Sequence, residues 1–583
     1  MPQVEAVCGG ELGTGPHTRN VSPAPAGRAA GGDRLTASLA VAPRARSSTG
    51  RLLAALIVLA ALVAALIVVL ASSSSATPPR SMESLFQDDD HLLYASTATV
   101  TSTLDTLKGL GVDRIRATVL WRAIAPDPAA TAPPAGVDPT NPSDYPAANW
   151  APYDRLVELA RARGIGVDFN IGAPGPLWAM ARGAPAAKYA DHWVPSPTRF
   201  GQFVAAVARR YSGSYSAAGG STLPRVSYWS IWNEPNQPGW LAPQWQSGGG
   251  RTVPESPVLY RSLVDAAFRA LERTGHGPST DTILIGELAP EGSEGPSFNY
   301  RTPIPPMPFL RALYCVDSSY RPLTGSAAVA LACPQGGRAK TFVSGNPALF
   351  DATGFAHHPY SFFLAPDVQM ADTNFAPLSD LPRLEHGLDA IFGAYGVSRS
   401  LPLYLTEYGY ETNPPNPYRG VSPALQSLYI NEAEYLAWRD PRVRAMSQFL
   451  LYDSPPDLSY PRGSEGYWST FQTGLLYASG AAKPSLAAYR LPIFVPQPVL
   501  GAGRSVFVWG RLRPAQHATA QRAQIQWRSP TGSYRTLATV TTTNRSGVLS
   551  AEVQVPGPGS IRIAWVSPAG RLLDSRAVGL QGH

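Results

Sequence analysis

Between residues 83 and 491, short apolar runs alternate with amphipathic runs along the chain. The run VDRIRATVLW at 112–121 is typical of a buried strand, and WAPYDRLVELARARG at 150–164 is typical of a helix that ends on Gly. This alternation predicts a parallel sheet covered by helices. After a first strand region at 84–94, further strands are predicted at 165–172, 226–234, 282–290, 352–360, 401–410 and 443–453, and further helices at 196–213, 256–275, 381–396 and 422–440.

Eight strands with their helices, within 83–491, predict a closed (β/α)8 barrel of the TIM-barrel type, in the α/β class. A doubly wound open sheet is the structural alternative, although no Gly-rich phosphate-binding turn follows any of the predicted strands. In a barrel of this kind, the residues at the carboxyl ends of the strands carry the chemistry. Functional residues are therefore expected at those ends.

After residue 491 the pattern changes to short alternating strands separated by Gly, Pro and Ser turns. In AQIQWRS, Ile525 and Trp527 fall on one face of a strand, while Gln524, Gln526 and Arg528 fall on the other. Residues 492–583 are long enough for a small all-β sandwich domain.

The segment 52–71 consists of 20 uncharged apolar residues. This length predicts a transmembrane helix, which would act as an uncleaved signal anchor. Three Arg precede it, so the positive-inside rule places the Gly-, Ala- and Arg-rich residues 1–51 in the cytoplasm as a disordered tail. After a linker at 72–82, the rest of the chain would then lie outside the cell, held at the membrane. Cleavage near Ala71, the alternative, would make the protein secreted.

The positive charge of the chain lies in its flanks. The net charge is +7, of which residues 1–51 contribute +3 and residues 493–583 contribute +8, so residues 52–492 are net negative at −4. A nucleic-acid partner is therefore not expected, because the main body carries no basic excess.

The basic C-terminal domain has two interpretations. Its outward arginines, Arg528, Arg562 and Arg513, could dock on an anionic envelope polymer or on a charged polysaccharide. Alternatively, the domain is a packing module that covers the barrel.

Cysteine use agrees with export. Cys8 lies in the predicted tail, whereas Cys315 and Cys333 lie 18 residues apart in the exported part. They are predicted to form a disulfide, the alternative being two buried free thiols. Three Cys without a CxxC spacing predict no zinc site.

Two glutamates end strands that lie apart in the sequence. The run YWSIWNEPNQPGW at 228–240 places Glu234 at the end of the fourth strand, and LYLTEYGYET places Glu407 at the end of the seventh. Two carboxylates across a barrel mouth, one protonated and one ionised, form the catalytic pair of a retaining glycosidase. Asn233 can hydrogen-bond a sugar hydroxyl, and the chemistry needs no metal or other cofactor. Glu287 ends the fifth strand and is interpreted as a structural or rim carboxylate.

Tryptophans also follow strands on the predicted catalytic rim. Trp121, Trp178 and Trp468 are interpreted either as platforms for sugar rings or as loop packing.

The motifs WNEPN (232–236) and LTEYGY (405–410) resemble those of the clan A glycoside hydrolases, most closely family 39 and next family 5. The resemblance covers roughly residues 83–491. It implies a (β/α)8 fold, Glu234 as acid/base and Glu407 as nucleophile. VDRIR resembles the stretch of strand two that carries an arginine in this clan, and Arg116 is the matching residue. HHPY resembles the His-x-Tyr of strand six, which implies His358 and Tyr360.

The resemblance and the chemistry together predict roles for the supporting residues. Arg116 and the hydroxyl of Tyr360 should keep Glu407 ionised, and His358 should orient this network or contact substrate. His357 should pack behind the strand, because neighbours on a strand point to opposite faces. There are two alternative functions. One is a transglycosylase that remodels surface polysaccharide, and the other is a non-catalytic carbohydrate-binding protein on the same barrel.

Overall fold

The computed structural model describes residues 80–217, 220–248, 251–293, 298–335, 339–501, 504–514 and 519–582. The predicted cytoplasmic tail with Cys8, the predicted anchor at 52–71 and most of the predicted linker lie outside these residues. Within them, no helix has both the length and the apolar composition that crossing a membrane requires.

Eight parallel strands close into a barrel in which β1 pairs with both β2 and β8. This closure excludes the doubly wound open sheet, in which the first and last strands would not pair. The predicted order of the eight strands is confirmed. The strands are β1 (Glu83–Gln87), β2 (Arg114–Leu120), β3 (Gly166–Gly172), β4 (Tyr228–Ile231), β5 (Thr282–Leu288), β6 (Gly354–His357), β7 (Leu403–Leu405) and β8 (Val443–Phe449).

Several strands are shorter than their apolar runs predicted. The predicted first strand region stops at Gln87, and Asp88 accepts a hydrogen bond from the backbone N–H of His91 to cap a short helix, Asp89–Leu92. Likewise β4 and β7 end before Glu234 and Glu407. The predicted catalytic residues therefore lie on the segments that leave the strands.

Helices cover the outside of the barrel and bury their apolar faces against it. A two-stranded hairpin, Trp245–Gly248 with Arg251–Pro254, follows β4. The principal helices are α1 (Thr97–Gly109), α2 (Ala147–Ala162), α3 (Pro197–Arg210), α4 (Ser256–Arg273), α5 (Pro306–Leu313), α6 (Leu381–Ala394), α7 (Pro423–Arg439) and α8 (Pro484–Arg490).

The connection from β5 to β6 is the longest of the barrel, and it contains three further short helices, Gly325–Ala330, Ala339–Gly345 and Pro347–Asp351. Cys315 and Cys333 form the predicted disulfide within it, with an S–S distance of 2.05 Å. The bridge closes a loop that Arg261 also holds, by donating to the backbone carbonyls of Leu331 and Ala332.

Alternation along the strands sorts apolar from polar side chains. On β2, Ile115, Ala117 and Val119 are buried in the apolar core beneath the helices. Arg116, between them, points the other way and contacts polar side chains inside the barrel. The barrel axis is thus polar near its carboxyl end, which is where the candidate site lies.

The C-terminal residues form two sheets around one apolar core, to which Val508 and Ile525 contribute from opposite sheets. The alternation predicted for residues 523–529 is confirmed, since Ile525 and Trp527 are buried in this core. One sheet has the order β9-β11-β14 and the other β10-β17-β15-β12-β13, with β16 paired to β15. The strands are β9 (Ile493–Phe494), β10 (Val499–Leu500), β11 (Ser505–Arg511), β12 (Gln521–Arg528), β13 (Arg535–Thr542), β14 (Val548–Gln554), β15 (Gly559–Val566), β16 (Leu572–Asp574) and β17 (Val578–Gly582).

Two arginines of the β-domain are buried against the barrel. Arg511 and Arg513 both bond the carboxylate of Glu434 on α7, at 2.9 Å and 3.0 Å. Arg511 also donates to the backbone carbonyl of Met82, just before β1. The domain therefore packs on the amino-terminal end of the barrel, away from the carboxyl ends of the strands.

The prediction that Arg513 points outward is wrong, because only 3% of the residue is exposed and its guanidinium is used in this interface. Arg562 is partly exposed and pairs with Asp574 at 2.7 Å, while Arg528 is exposed. Docking on an anionic polymer stays a prediction that now rests on Arg528 and Arg562. The contacts of Arg511 and Arg513 favour the packing role.

Glu434→Gln is expected to destabilise the protein by about 3–5 kcal/mol, because it leaves the buried guanidinium of Arg513 without its ion-pair partner and that of Arg511 with only Asp113, at 3.6 Å. The measurement is the free energy of unfolding by urea. Glu552→Gln is the control, since Glu552 lies on the exposed face of β14. A loss in Glu434→Gln no larger than in the control would contradict a buried ionic interface.

Candidate active site

Five charged or titratable side chains meet at the carboxyl end of the barrel. Arg116 comes from β2, Glu234 from just after β4, Glu287 from β5, His358 from just after β6, and Glu407 from just after β7. Four of them were predicted as site residues from the sequence, and the fold brings all four together. The fifth, Glu287, was predicted only as a structural or rim carboxylate.

The backbone turns sharply where it leaves β4 and near the end of β5. Trp232, Glu234 and Glu287 have φ angles of 68°, 36° and 50°, in the left-handed region that non-glycine residues rarely adopt. Trp232 is fully buried and anchors this turn by donating its indole N–H to the carbonyl of Trp240 at 3.1 Å. Strain of this kind occurs where the surroundings hold a functional side chain in place. Here it directs Glu234 over the barrel mouth.

Glu407 accepts hydrogen bonds on both carboxylate oxygens. Arg116 donates to Oε1 at 2.7 Å, and the hydroxyl of Tyr360 donates to Oε2 at 3.0 Å. Burial, followed by the charge of Glu407, raises the pKa of Tyr360 well above 10, so the phenol keeps its proton. Both predicted partners of Glu407 are therefore in place, and both donate to its carboxylate.

Glu234 has a different environment. Its Oε1 lies 2.9 Å from Nδ1 of His358. Burial raises the pKa of Glu234, the hydrogen bond and charge of His358 lower it, and the charge of Glu407 raises it again, with a net shift upward from 4.5. Glu234 is thus suited to hold a proton that the neighbouring Glu407 does not hold.

Glu287 lies in the middle of the cluster and is fully buried, whereas the side chains of Glu234 and Glu407 are each 11% exposed. Its Oε2 accepts from Arg116 at 2.9 Å, from Nε2 of His358 at 2.7 Å and from the hydroxyl of Thr406 at 2.9 Å. Burial raises its pKa, but Arg116 and His358 outweigh this effect and lower the pKa to about 2. Glu287 is therefore an ionised carboxylate that a substrate cannot reach.

His358 is held between carboxylates on both sides of its ring. Burial lowers its pKa, but the charge of Glu407, the hydrogen bonds to Glu234 and Glu287 and the charge of Glu287 raise the pKa to about 10. The imidazolium then donates from Nδ1 to Glu234 and from Nε2 to Glu287. His357 points to the opposite side, where Nε2 lies 2.6 Å from the carbonyl of Ala376 and burial lowers its pKa to about 4. The predicted separation of the two histidines is confirmed.

The charges of the cluster balance when Glu234 is protonated. The two cations, Arg116 and His358, then face the two anions, Glu287 and Glu407. Buried charges are tolerated when each has a partner of opposite sign. This balance favours one proton on Glu234 in the resting site.

Glu234 and Glu407 are close enough to act on one atom between them, because one oxygen of each and Nδ1 of His358 all lie within 4.8 Å of one another. Three such atoms could hold a metal ion by distance alone. However, Arg116 and Tyr360 already donate to Glu407, and His358 Nδ1 carries a proton, so a dication would have to displace these donors. The arrangement suits proton transfer and nucleophilic attack better than metal binding.

Asn233 directly precedes Glu234 and is 5% exposed. Its Oδ1 accepts a hydrogen bond from Arg116 at 2.7 Å. Because Oδ1 accepts from Arg116, the Asn233 side chain can donate its amide N–H groups to a hydroxyl in the cleft.

The tryptophan predictions have different outcomes. Trp121 has no exposed surface and stacks on Phe203 with ring centroids 5.6 Å apart, so its interpretation as a sugar platform is wrong and loop packing is right. Trp178 and Trp468 are partly exposed and stay candidates for sugar contacts.

Other aromatic side chains near the site were missed in the sequence. Phe449 is partly exposed and packs edge-on between Tyr360, at 6.4 Å, and Phe471, at 5.2 Å. Its position as the last residue of β8 is the signal that could have identified it, since strand ends form the barrel mouth.

The polar floor of the site was also missed. Gln87 accepts a hydrogen bond from Arg116, and Asp168 on β3 accepts one from Ser230 at 3.2 Å. Burial and the charge of Glu287 raise the pKa of Asp168 to about 7. Apart from period-two alternation, the sequence carries no signal that places these residues inside the barrel.

No family model matches the chain, and no curated protein matches it. Among solved structures it is similar to the FMN-binding beta-glucuronidase from Facaelibacterium prausnitzii L2-6, with 11% identity, a TM-score of 0.36, and coverage of 86% of this chain and 56% of that one. The chain thus spans little more than half the length of that glucuronidase.

It is also similar to the family 1 β-glucosidase from Thermotoga maritima, with 13% identity, a TM-score of 0.40, and coverage of 70% of this chain and 96% of that one. An exo-β-1,4-mannosidase from Opitutaceae bacterium strain TAV5 has 14% identity and a TM-score of 0.38, with coverage of 71% and 59%. Values this low assign neither a family nor an activity to the chain.

Proposed function

We propose that the protein is a retaining glycoside hydrolase, which cleaves O-glycosidic bonds of a poly- or oligosaccharide through a covalent glycosyl-enzyme intermediate. The observation that carries the proposal is the pair Glu234 and Glu407. Their oxygens approach within 4.8 Å, yet one carboxyl group has surroundings that retain a proton and the other has donors that favour ionisation. Retaining enzymes place the two groups about 5–5.5 Å apart, and inverting enzymes place them about 6.5–9.5 Å apart.

In the first step Glu234 donates its proton to the glycosidic oxygen while a carboxylate oxygen of Glu407 attacks the anomeric carbon. The bond to the leaving group breaks, an ester to Glu407 forms, and the alcohol departs with the proton. Arg116 and Tyr360 hold Glu407 in position for this attack.

In the second step the ionised Glu234 removes a proton from water, which attacks the anomeric carbon and releases Glu407. The ester has no charge, so Glu407 no longer raises the pKa of Glu234, and that pKa falls. The same residue is thereby suited first to donate and then to accept a proton.

Substrate contacts follow from the groups around the pair. The amide of Asn233 and the hydroxyl of Tyr360 are placed to bond sugar hydroxyls, and the partly exposed rings of Phe449, Trp178 and Trp468 are candidate stacking faces. We also propose that residues 52–71 anchor the enzyme with its barrel outside the cell, or that cleavage near Ala71 releases it.

The test is a screen of purified protein, from which residues 1–71 are removed, on defined polysaccharides and aryl glycosides. The anomer released first is read by proton NMR. Retained configuration is expected, and an inverted first product would overturn the mechanism. Failure to cleave any glycoside would favour a non-catalytic binding protein. Transfer to an added acceptor sugar in preference to water would identify a transglycosylase that uses the same residues.

The pH profile of kcat/KM is expected to be bell-shaped. Glu234 must be protonated to act as the acid, so activity should fall as the pH rises through its pKa, which its surroundings raise from 4.5. Acid should also lower activity, because the nucleophile attacks as a carboxylate. In Glu407→Gln the negative charge is gone, and carbon-13 NMR of the Glu234 carboxyl should show a lower pKa than in wild type. An unchanged or higher pKa would contradict the coupling of the two groups.

Activity is expected to persist after exhaustive dialysis against EDTA, because two carboxylates are sufficient for the two steps. The measurement is kcat/KM before and after dialysis, with added Zn²⁺, Mg²⁺ and Ca²⁺ in parallel. Complete loss that a metal ion restores would indicate that Glu234, His358 and Glu407 form a metal site instead.

A further inference from the structure

We infer that Glu287 is a positioning residue, a buried anion that holds Arg116 and His358 in place between itself and the two catalytic glutamates. The inference rests on the proposed function, and it concerns a carboxylate that the two-step mechanism does not use. Because the side chain has no exposed surface, Glu287 cannot touch the substrate and must act through its neighbours.

The geometry makes Glu287 the shared partner of both cations. Arg116 donates through Nη1 to Glu407 and through Nη2 to Glu287. His358 lies against Glu234 through Nδ1 and against Glu287 through Nε2. Each cation therefore bridges Glu287 to a different catalytic glutamate, and the hydroxyl of Thr406, directly before Glu407, adds a third bond to the same oxygen.

The charge of Glu287 matters as much as its shape. Without it, two fully buried cations would face one ionised carboxylate, Glu407, while Glu234 holds its proton. A buried site with an excess charge relieves the imbalance by shifting a proton. Arg116 does not give up its proton near neutral pH, so the proton would be lost from the hydrogen-bonded pair of His358 and Glu234.

Loss of that proton from Glu234 would leave no acid for the leaving group, and loss of it from His358 would reverse the hydrogen bond between the two residues. As an imidazolium, His358 donates from Nδ1 and leaves the proton of Glu234 on the oxygen that faces the cleft. As a neutral ring donating from Nε2, it would present a lone pair at Nδ1 and attract the Glu234 proton away from the leaving group. Glu287 thus keeps the acid directed at the substrate.

The groups that face His358 come from every strand end around it. Glu234, after β4, lies against Nδ1 of His358, and Glu287, near the end of β5, lies against Nε2. Glu407, after β7, lies 3.7 Å from Nδ1, and Arg116 on β2 pairs with Glu287. On its own segment, His357 points to the opposite side and is neutral. With the anions outnumbering the other cation, the pKa of His358 is about 10 in the native protein, and removing one anion should lower it.

The test is Glu287→Gln, which keeps the shape and the hydrogen-bond acceptor but removes the charge. Full-length protein labelled with nitrogen-15 at histidine is titrated by NMR from pH 6 to 10, and His358→Gln assigns the signal. Wild-type His358 should stay an imidazolium until close to pH 10. In Glu287→Gln its proton affinity should fall at least about tenfold, which is one pKa unit. Glu291→Gln, a change in the loop after β5 that leaves the contacts of His358 intact, is the control and should titrate as wild type.

Activity gives a second readout. In Glu287→Gln, kcat on glycosides with poor leaving groups should fall more than kcat on activated ones, and the fall should grow as pH passes the new pKa of His358, with little change in KM. Glu287→Asp keeps the charge and should keep His358 protonated, although its shorter side chain weakens the bonds.

A folded Glu287→Gln in which His358 titrates as in wild type would overturn the inference and leave Glu287 a structural ion-pair partner. If Glu287→Gln does not fold, the titrations of wild type and Glu287→Asp are the test. A His358 whose pKa lies near the ordinary value of 6.5 in both proteins would also overturn the inference. The titration needs no substrate. Its failure is therefore distinguishable from failure of the proposed glycosidase activity, which the Glu407 variants test.

Discussion

Glu407→Ala is expected to lower kcat/KM by about 10⁴-fold or more, on the order of the loss when a covalent nucleophile is removed. The variant has no oxygen to form the ester with the anomeric carbon. Glu407→Gln should lose as much, because its amide fills the same space but is not a nucleophile. The measurement is kcat/KM on an aryl glycoside found in the screen, with circular dichroism and urea unfolding to show that the fold is intact.

Azide provides the positive control for this position. In Glu407→Ala a small anion can enter the space that the carboxylate occupied, attack the anomeric carbon from that side and give a glycosyl azide of inverted configuration. Normal retaining turnover should not return. Glu411→Gln is the matched control, since Glu411 lies four residues further along the same loop and bonds Asn416 rather than the cluster. Near-normal turnover by Glu407→Ala would remove Glu407 from the mechanism.

Glu234→Ala is expected to lose activity in proportion to how much the leaving group needs a proton. General acid catalysis contributes about 10²–10⁴-fold, so glycosides of poor leaving groups should lose activity by that amount. Activated aryl glycosides depart without a proton and should lose far less in the first step. The measurement is log kcat/KM against the pKa of the leaving phenol, whose slope should be steeper in the variant than in wild type.

The two variants together test the assignment of roles. Glu234→Ala should also lose the alkaline limb of the pH profile, because that limb reports the proton on Glu234. Gln237→Ala is a nearby control, since Gln237 lies in the same segment after β4 and bonds a backbone carbonyl. Equal and total loss on every substrate in both Glu234→Ala and Glu407→Ala would contradict the separate roles of acid and nucleophile.

The sequence allowed the barrel to be predicted because the pattern that encodes it is local. A buried strand such as 112–121 and an amphipathic helix such as 150–164 each show their period within one element, and eight repeats define the closed sheet. The ends of strands are harder to predict from the pattern of apolar residues. Apolar runs continued past β4 and β7, and only the folded backbone shows that the chain turns at Trp232 before it reaches Glu234.

Some site residues could also be predicted from the sequence, for the same reason. Glu234 and Glu407 each follow an apolar strand within a recognisable motif, and the alternation of a strand separates His357 from His358. Arg116, as a partner of Glu407, followed from the resemblance and is confirmed by its 2.7 Å bond. Surroundings that the sequence does not show decided the other cases. Of the two interpretations of Trp121, contact with Phe203 selects loop packing, and the outward position predicted for Arg513 is wrong because Glu434 pairs with it inside the interface.

By itself the sequence determined the number and order of the barrel strands, the two cysteines that form the disulfide, and the two glutamates, Glu234 and Glu407, that follow β4 and β7. Only the tertiary structure decided the role of Glu287, because its three bonds join residues separated by 71, 119 and 171 positions. It also decided the protonation states of the cluster. A pKa depends on burial and on charges within a few ångströms, and these distances exist only after the strands have closed into a barrel.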